Sequence, residues 1–262
     1  MRSRRRFGTR VVFAAILCAW LSAAAADAPA AWRQDAIWDD GNAEFSAYEV
    51  TWARYSHLYP GRAILLIVKE PWAPDLDVKA DTPRPGGFDV LKLNHARDVP
   101  TGIYTYHQMA SVFISRATGA LQKIAATSSE LCGIATADMV RGVLQTRSYF
   151  DGQGDRAQRW PLDAVPEDGL PLTLRDYVGG ECPGSIGVFP SLLMGRYGQL
   201  VPAVWVLRRT AIPAVVVPAG TFDGVSLRLE HGAQWLEYVF ETAVPHRLLR
   251  LTRGDGTEYR LV

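Results

Sequence analysis

The sequence lacks any apolar run long enough to cross a lipid bilayer as a helix. Its longest apolar run extends only from Val11 to Leu21, whereas a spanning helix needs about 20 apolar residues. No later stretch comes near that length. We therefore expect no transmembrane anchor in the chain that remains once this N-terminal run is removed.

An excess of positive charge is also missing. The chain has 28 lysines and arginines against 27 aspartates and glutamates, and five of the arginines lie within residues 1–26, which contain no acid. Residues 27–262 therefore hold 23 basic and 27 acidic side chains, a net charge of about −4. A weakly acidic body without a basic tract argues against a nucleic-acid partner and against electrostatic docking on anionic lipid.

Sequence motifs for metal-assisted or nucleophilic catalysis are absent as well. No two histidines are spaced as in H-x-x-x-H or H-E-x-x-H, so a metal site would have to be assembled by the fold. Ser185 lacks the G-x-S-x-G spacing of a nucleophile elbow, because Pro183 stands where glycine is required. We predict no catalytic residues, no metal site and no cofactor. The scattered histidines are His57, His95, His107, His231 and His246.

The N-terminus has the three parts of an export signal. A cluster of arginines precedes the apolar run, and the small residues Ala23 to Ala26 follow it. This pattern predicts a signal peptide over residues 1–26, cleavage near Ala26, and a periplasmic or secreted mature protein. Ser3 to Phe7 resembles the core of a twin-arginine signal, while the general secretory route needs only the positive charge, so both routes stay open.

Cysteine is scarce, with three residues in the chain, and Cys18 lies within the predicted signal. The mature chain would then contain only Cys132 and Cys182, which in an oxidising compartment predicts a disulfide between them. Closing a loop of that length stabilises a fold by roughly 4 kcal/mol in the chain-entropy model. The alternative makes Cys132 a nucleophile, which needs a histidine brought close by the fold.

Alternation of apolar and polar residues predicts an all-β fold. It is visible from Ala43 to Tyr55, from Phe88 to Asn94, and in the run from Val201 to Val262, where Gly254 to Gly256 marks a turn. We expect about a dozen antiparallel strands and few short helices. They would form a curved antiparallel sheet or a half-open barrel.

Two regions interrupt this pattern. Residues 27–42 are predicted to be a mobile leader, because they are polar and begin with small residues and proline. Residues 151–198 are predicted to be a long loop rich in glycine and proline. The remainder, 43–262 including that loop, is predicted to be a single β-rich domain.

Several side chains are candidates for a ligand-lining surface. Five tryptophans fill the core or line a groove for an apolar or sugar-like ligand, namely Trp52, Trp72, Trp160, Trp205 and Trp235. We single out Trp52, Trp205 and Trp235, together with Lys92 and Tyr104 on or beside strands. The alternative for Lys92 is a position among charged residues on the solvent-exposed face of the sheet.

Sequence runs near the C-terminus carry a resemblance to a known group. Val217 to Gly224 contains "VPAGTF", an aromatic strand runs from Trp235 to Phe240, and Val244 to Leu248 precedes the closing hairpin. This order resembles a family of uncharacterised exported bacterial β proteins. By resemblance, their fold is similar to the half-open barrel of lipoprotein carriers such as LolA and LolB. The resemblance supplies no known catalytic residues to carry over to this chain.

Upstream runs resemble a related secreted group sometimes labelled septum formation inhibitor. They include Val90 to Asn94, Thr101 to Tyr106, Glu130 to Gly133 and Tyr149 to Asp155. That label suggests a cytoplasmic nucleotide pyrophosphatase, which an export signal contradicts.

These observations favour a binding, carrier or scaffold protein over an enzyme. The partner would be lipid-like, a glycan or an envelope protein, held in the concavity of the sheet. The alternative is a hydrolase of envelope polymers, in which Asp39, Asp40 and Glu44 would converge with Asp75 or Asp77, because retaining glycosidases need two close acids. A structural role in a larger complex is the third hypothesis.

Overall fold

The computed structural model describes residues 30–161, 163–198 and 200–262. The predicted signal peptide and the first residues of the predicted leader lie outside these ranges. The structure is 58% strand and 8% helical, so the predicted all-β class is confirmed. None of the helices in the described ranges has the length and hydropathy that crossing a bilayer requires.

Within these ranges sixteen strands form one sheet, a few more than expected, because β3, β9 and β10 are too short to show alternation in the sequence. The strands are β1 (Glu44–Arg54), β2 (His57–Ala73), β3 (Val78–Lys79), β4 (Phe88–Pro100), β5 (Thr105–Ser115), β6 (Leu121–Glu130), β7 (Gly133–Val140), β8 (Val143–Arg147), β9 (Arg156–Arg159), β10 (Ala164–Pro166), β11 (Ser185–Phe189), β12 (Ala203–Val217), β13 (Gly220–His231), β14 (Gln234–Glu241), β15 (Leu248–Arg253) and β16 (Glu258–Leu261). The helices are α1 (Ala31–Gln34), α2 (Leu170–Thr173) and the 3-10 helices Ala36–Asp39, Glu167–Gly169 and Leu174–Tyr177.

The chain enters the sheet in its middle and leaves toward one edge. From β1 the strands are added in sequence order to β9, with β3 attached beside β2. After β9 the chain passes to the opposite edge, where β10 pairs in parallel with β11. Strands β11 to β16 then return in order, and β16 pairs antiparallel with β1. The sheet is open, because β9 and β10 do not pair with each other.

Alternation along the strands places one face of the sheet in the core. In β1 the side chains of Tyr48, Val50 and Trp52 are buried, whereas Glu49 on the other face is exposed. Successive side chains of a strand point to opposite faces, so a period of two creates one apolar face. In β4 the same rule buries residues 91, 93, 95, 97 and 99.

The segment from Trp160 to Gly198, here called the crossing segment, covers this buried face. It belongs to the region predicted to be a long loop, yet it contains two short strands, α2 and two 3-10 helices. Leu170, Leu172 and Leu174 within it are fully buried. Glycine and proline interrupt regular structure here, but the leucines bury enough apolar surface to fix the segment on the sheet.

Residues 30–42, predicted to belong to a mobile leader, pack on the crossing segment. Trp32 and Trp38 are buried. The Trp32 Nε1 donates to Asp176 Oδ1 at 2.6 Å, and Arg33 forms an ion pair with the same carboxylate. A polar composition suggested solvation, but two buried indoles and one shared carboxylate hold the described part of the leader in place.

A buried ion pair ties the crossing segment to the sheet. The Arg175 guanidinium donates to both carboxylate oxygens of Glu44 in β1, at 2.7 and 2.8 Å, and to the Pro245 carbonyl at 2.8 Å. The Arg175 side chain is inaccessible to solvent. Breaking such a pair leaves an uncompensated buried charge, so this contact fixes where the segment lies.

Candidate functional site

Among the described residues, two of the cavities lie between the buried face of the sheet and the crossing segment. The larger, called the apolar cavity, has a volume of about 580 Å³. Its interior is formed mainly by uncharged side chains, and its charged residues, Asp77, Arg141 and Asp163, belong to turns and loops. The apolar side chains that line it are Val112, Ile114, Ala120, Leu121, Met139, Trp160, Ala164, Val165 and Pro166.

The smaller, called the polar cavity, has a volume of about 250 Å³. It holds charged and hydrogen-bonding groups next to apolar ones. Its mouth includes the exposed residues Arg196 and Asp255. The charged or polar lining residues are His95, Arg97, Glu167, Asp168, Ser191, Arg196, Arg253, Asp255 and Thr257, and the aromatic ones are Trp52, Tyr238 and Tyr259.

The two cavities lie at opposite ends of the same paired strands. In the ladder between β4 and β5, Arg97 is paired with Gln108, and Leu91 is paired with Ile114. All four side chains are buried. The buried face is therefore polar at the Arg97 end and apolar at the Ile114 end.

On the crossing segment, residues 166–169 separate the cavities. Pro166 and Gly169 line the apolar cavity, whereas Glu167 and Asp168 line the polar cavity. In a 3-10 helix, residues three apart lie on the same side. This geometry turns both carboxylates away from the apolar cavity.

Arg97 is buried beside the polar cavity with neutral partners. Its Nε donates to Gln108 Oε1 at 3.0 Å, its Nη1 donates to the Tyr259 hydroxyl at 3.0 Å, and its Nη2 also donates to Gln108. The guanidinium carbon lies 4.6 Å from the centre of the Trp52 ring, a cation–π contact. Within the described ranges, no carboxylate oxygen lies within 4.0 Å of a guanidinium nitrogen of Arg97.

His95 lies two residues before Arg97 on the same face of β4. It is buried, and its Nε2 has no hydrogen-bond partner among the described residues. Burial, together with the charge of Arg97, lowers the pKa of His95 to about 3. The imidazole is therefore neutral at ordinary pH.

Asp168 is the buried acid of the polar cavity. Its carboxylate accepts hydrogen bonds from the Ser191 hydroxyl at 2.5 Å and from the Leu192 N–H at 2.6 Å. Burial raises the pKa of Asp168 to about 6 despite these hydrogen bonds, and the nearby charge of Glu167 acts in the same direction. Glu167 itself is paired with Arg253.

A close backbone approach shapes the wall of this cavity. Gly195 has a φ of +64°, and a Cβ there would lie 2.6 Å from the Cβ of Ser128 in β6. Ser128 accepts a hydrogen bond from Gln108, which also donates to the Leu193 carbonyl. Glycine at this position lets the crossing segment approach β6 closely enough to complete the network around Arg97.

The predicted ligand-lining tryptophans are not gathered in one cavity. Trp52 lines the polar cavity. Trp205 and Trp235 line a neighbouring pocket of about 310 Å³, which shares Glu167, Arg253 and Asp255 with the polar cavity. The tryptophan of the apolar cavity is Trp160.

The other two predicted ligand-lining residues lie outside both cavities. Lys92 projects from the opposite face of β4 and pairs with Glu70 at 2.6 Å. Tyr104 packs edge to face on Tyr106, with ring centres 5.5 Å apart, and Tyr106 packs in the same way on Trp52. Tyr104 thus contacts Tyr106, which in turn contacts the Trp52 ring of the polar cavity.

Sequence reasoning missed His95, Arg97 and Asp168 as site residues. A signal was present for two of them, because the alternation of β4 assigns positions 95 and 97 to the same face as Leu91 and Leu93. A histidine and an arginine on a buried face need partners or a ligand. No comparable signal marked Asp168, which lies in a region without periodicity.

The predicted disulfide is absent, since both Cys132 and Cys182 are free thiols. Cys132 lies in the exposed turn between β6 and β7, whereas Cys182 is half-buried near Tyr177 before β11. The two thiols have different surroundings near opposite ends of the strand order. The Glu130 carboxylate raises the pKa of the Cys132 thiol, which disfavours the nucleophilic thiolate of the alternative hypothesis.

The acids of the hydrolase alternative have separate partners. Four of the five are paired with separate cations: Asp39 with Lys69 and Arg116, Glu44 with Arg175, Asp75 with Arg84, and Asp77 with Arg141. The exposed Asp40 carboxylate accepts a hydrogen bond from the Asn42 N–H at 2.7 Å. Hydrogen bonds from Arg116 and Lys69 hold the pKa of Asp39 well below its usual range. In the part of the chain that the structure describes, no three His, Cys, Asp or Glu side chains cluster as a metal site.

The chain matches no protein-family model, no curated protein and no solved structure.

Proposed function

We propose that this protein is an exported, non-catalytic binding protein that carries a hydrophobic ligand in the apolar cavity. The observation that carries the proposal is the volume of about 580 Å³ beside a largely apolar wall. Ligand sites have volumes of roughly 300 to 1,000 Å³ and are lined mainly by apolar side chains. A lipid-like ligand suits this lining better than a glycan, whose hydroxyl groups need hydrogen-bonding partners.

Burial of apolar surface would supply the affinity. Each methylene transferred from water contributes about 0.8 kcal/mol, so affinity rises roughly fourfold per added methylene until the cavity is full. The charged groups at the rim, including the paired Asp77 and Arg141, would remain at the solvent boundary. The proposed ligand is therefore an uncharged or amphipathic molecule with one apolar chain.

Binding of the uncharged fluorescent probe N-phenyl-1-naphthylamine tests this proposal. We expect saturable binding and displacement by normal alcohols, with affinity that increases with chain length and then levels off. The change Ala120→Trp places a large ring on the rim of the cavity and should weaken probe binding at least tenfold. Circular dichroism would establish that the variant is folded.

Ala117→Trp is the matched control, because Ala117 is exposed in the same β5–β6 connection and does not line the cavity. It should bind the probe as the wild type does. Equal binding in wild type and Ala120→Trp, or no binding in the wild type, would contradict the proposal.

The proposed export rests on the N-terminal pattern of arginines, apolar run and alanines. Sequencing the N-terminus of the protein isolated from its own cells should give a start near Asp27. A main cellular form that begins at Met1 would contradict export by signal cleavage.

A further inference from the structure

Arg97 is an exception among the buried arginines. Arg33 is paired with Asp176, and Arg175 is paired with Glu44. Arg97 is equally buried, but its hydrogen-bond partners are the amide oxygen of Gln108 and the hydroxyl of Tyr259. A buried charge without an opposite charge in contact costs several kcal/mol. Its guanidinium still has N–H groups free to bind an anion.

His95 supplies a second, independent observation. Its side chain is more than nine-tenths buried and lines the same cavity, and its Nε2 is unpartnered within the described ranges. A buried polar atom without a partner costs roughly 1–3 kcal/mol. His95 and Arg97 are two residues apart on one face of β4, and both line the polar cavity.

The remaining lining limits the charge of a ligand. Glu167, Asp168 and Asp255 also line the cavity and would repel a second negative charge. Trp52, Leu193, Met194 and Leu251 provide apolar surface beside the charged groups. The volume of about 250 Å³ is several times that of one water molecule and suits a small ligand.

We infer that the polar cavity binds a small monocarboxylate, whose carboxylate pairs with the Arg97 guanidinium and accepts a hydrogen bond from His95 Nε2. The planar guanidinium matches the two oxygens of a carboxylate. The short apolar part of the ligand would lie against Trp52 and its apolar neighbours. This site is separate from the apolar cavity, and the inference does not depend on the proposed function.

Isothermal titration of the full chain with benzoate tests the inference, with benzamide and inorganic phosphate as comparison ligands. We expect saturable benzoate binding at one site. Benzamide lacks the charge and phosphate adds a second one, so both should bind at least tenfold more weakly. Absence of benzoate binding, or equal binding of benzamide, would overturn the inference.

Two variants locate the bound benzoate. Arg97→Lys keeps the charge but loses the planar pair of donors, and His95→Gln keeps a polar side chain of different geometry. Each should weaken benzoate binding at least fivefold. Thermal unfolding would establish that both variants fold, and benzoate binding equal to wild type in both would overturn the inference.

Crossed controls separate this site from the apolar cavity. Ala120→Trp should leave benzoate binding unchanged, and Arg97→Lys should leave binding of the naphthylamine probe unchanged. Displacement of that probe by benzoate would place the carboxylate in the apolar cavity and overturn the inference. If the wild type bound benzoate but did not bind the naphthylamine probe, only the proposed hydrophobic carrier function would be contradicted.

Discussion

The apolar cavity and the polar cavity share residues 166–169 as a common wall and lie on the same sheet face, yet they offer different chemistry. The apolar cavity has more than twice the volume and keeps its charges at the rim. The polar cavity concentrates arginines and carboxylates around a buried histidine. The position of a cavity along the paired strands, rather than the fold layer, therefore determines which ligand the cavity suits.

The difference arises from a few positions on β4 and β5. At one end of their ladder the buried pair is Arg97 with Gln108, and at the other end it is Leu91 with Ile114. The 3-10 turn above them reinforces the contrast, because it directs Glu167 and Asp168 toward the polar end. Changes at these positions therefore affect one cavity at a time, whereas changes in the anchor of the crossing segment affect both.

The largest effect is expected from Arg175→Ala, which removes the anchor common to both cavities. The change leaves Glu44 buried without its cation, so the free energy of unfolding should fall by about 3–5 kcal/mol. Urea denaturation measures this loss. Arg260→Ala breaks a pair whose side chains are about half exposed, and it should cost about 0–1 kcal/mol. Similar losses for the two variants would contradict the anchoring role of Arg175.

The next largest effect is the loss of stability that His95 causes when the pH is lowered. The unfolded imidazole takes up a proton below its ordinary pKa of 6.5, whereas the folded one stays neutral until about pH 3. Acidification from pH 7 to pH 4 should therefore reduce the His95 contribution to stability by about 3 kcal/mol. His95→Gln lacks this loss, so its unfolding free energy relative to wild type should improve as the pH falls. Parallel pH curves would show that His95 titrates normally.

Asp168 should behave in the opposite sense. The carboxyl of Asp168 has a pKa of about 6 in the folded protein, whereas its pKa in the unfolded chain is the ordinary 3.8. The folded state therefore takes up a proton at a higher pH than the unfolded state. Between pH 7 and pH 4 the wild type thus gains about 2 kcal/mol from this group. Asp168→Asn should lose that gain, and its stability relative to wild type should worsen on acidification. A difference curve of the same sign as that of His95→Gln would contradict the assigned environment of Asp168.

The smallest effect is expected from Trp160→Phe in the apolar cavity. The Trp160 Nε1 donates to the Ala164 carbonyl at 3.2 Å, and loss of this hydrogen bond should cost about 1 kcal/mol in urea denaturation. Benzoate binding should be unchanged, because Trp160 does not line the polar cavity. Trp52→Phe is the counterpart, and it should weaken benzoate binding while leaving probe binding unchanged. If Trp52→Phe weakened probe binding and left benzoate binding unchanged, the assignment of the two ligands to the two cavities would be contradicted.

Much of the fold was predictable from local pattern. The alternation that begins at Ala43 indicated β1, and Gly254 to Gly256 indicated the turn between β15 and β16. The Gly- and Pro-rich region was harder, because buried leucines such as Leu170 and Leu172 stabilise it through contacts with distant strands. The described part of the leader departed from prediction for the same reason, since Trp32 is fixed by Asp176, far along the chain.

The candidate sites were harder to predict than the fold, because they depend still more on contacts between residues that are distant in the sequence. Tryptophan is large and apolar wherever it lies, so composition drew attention to Trp52, Trp205 and Trp235 without indicating that they line different cavities. The disulfide was inferred from the number of cysteines, but a bond also requires two adjacent thiols. Cys132 and Cys182 lie in different surroundings, which no count of cysteines reveals.

The sequence alone indicated the strand-forming periodicity, which assigns Leu91 and Leu93 to one face of β4, because alternation is a property of neighbouring residues. The burial of positions 95 and 97 farther along the same face was not predicted. The surroundings of those positions depend on tertiary contacts. The Tyr259 hydroxyl meets Arg97 across 162 residues, and the crossing segment brings Asp168 above the same face. Such proximity results from the packing of distant segments, so the charge, volume and neighbours of the two cavities exist only in the folded chain.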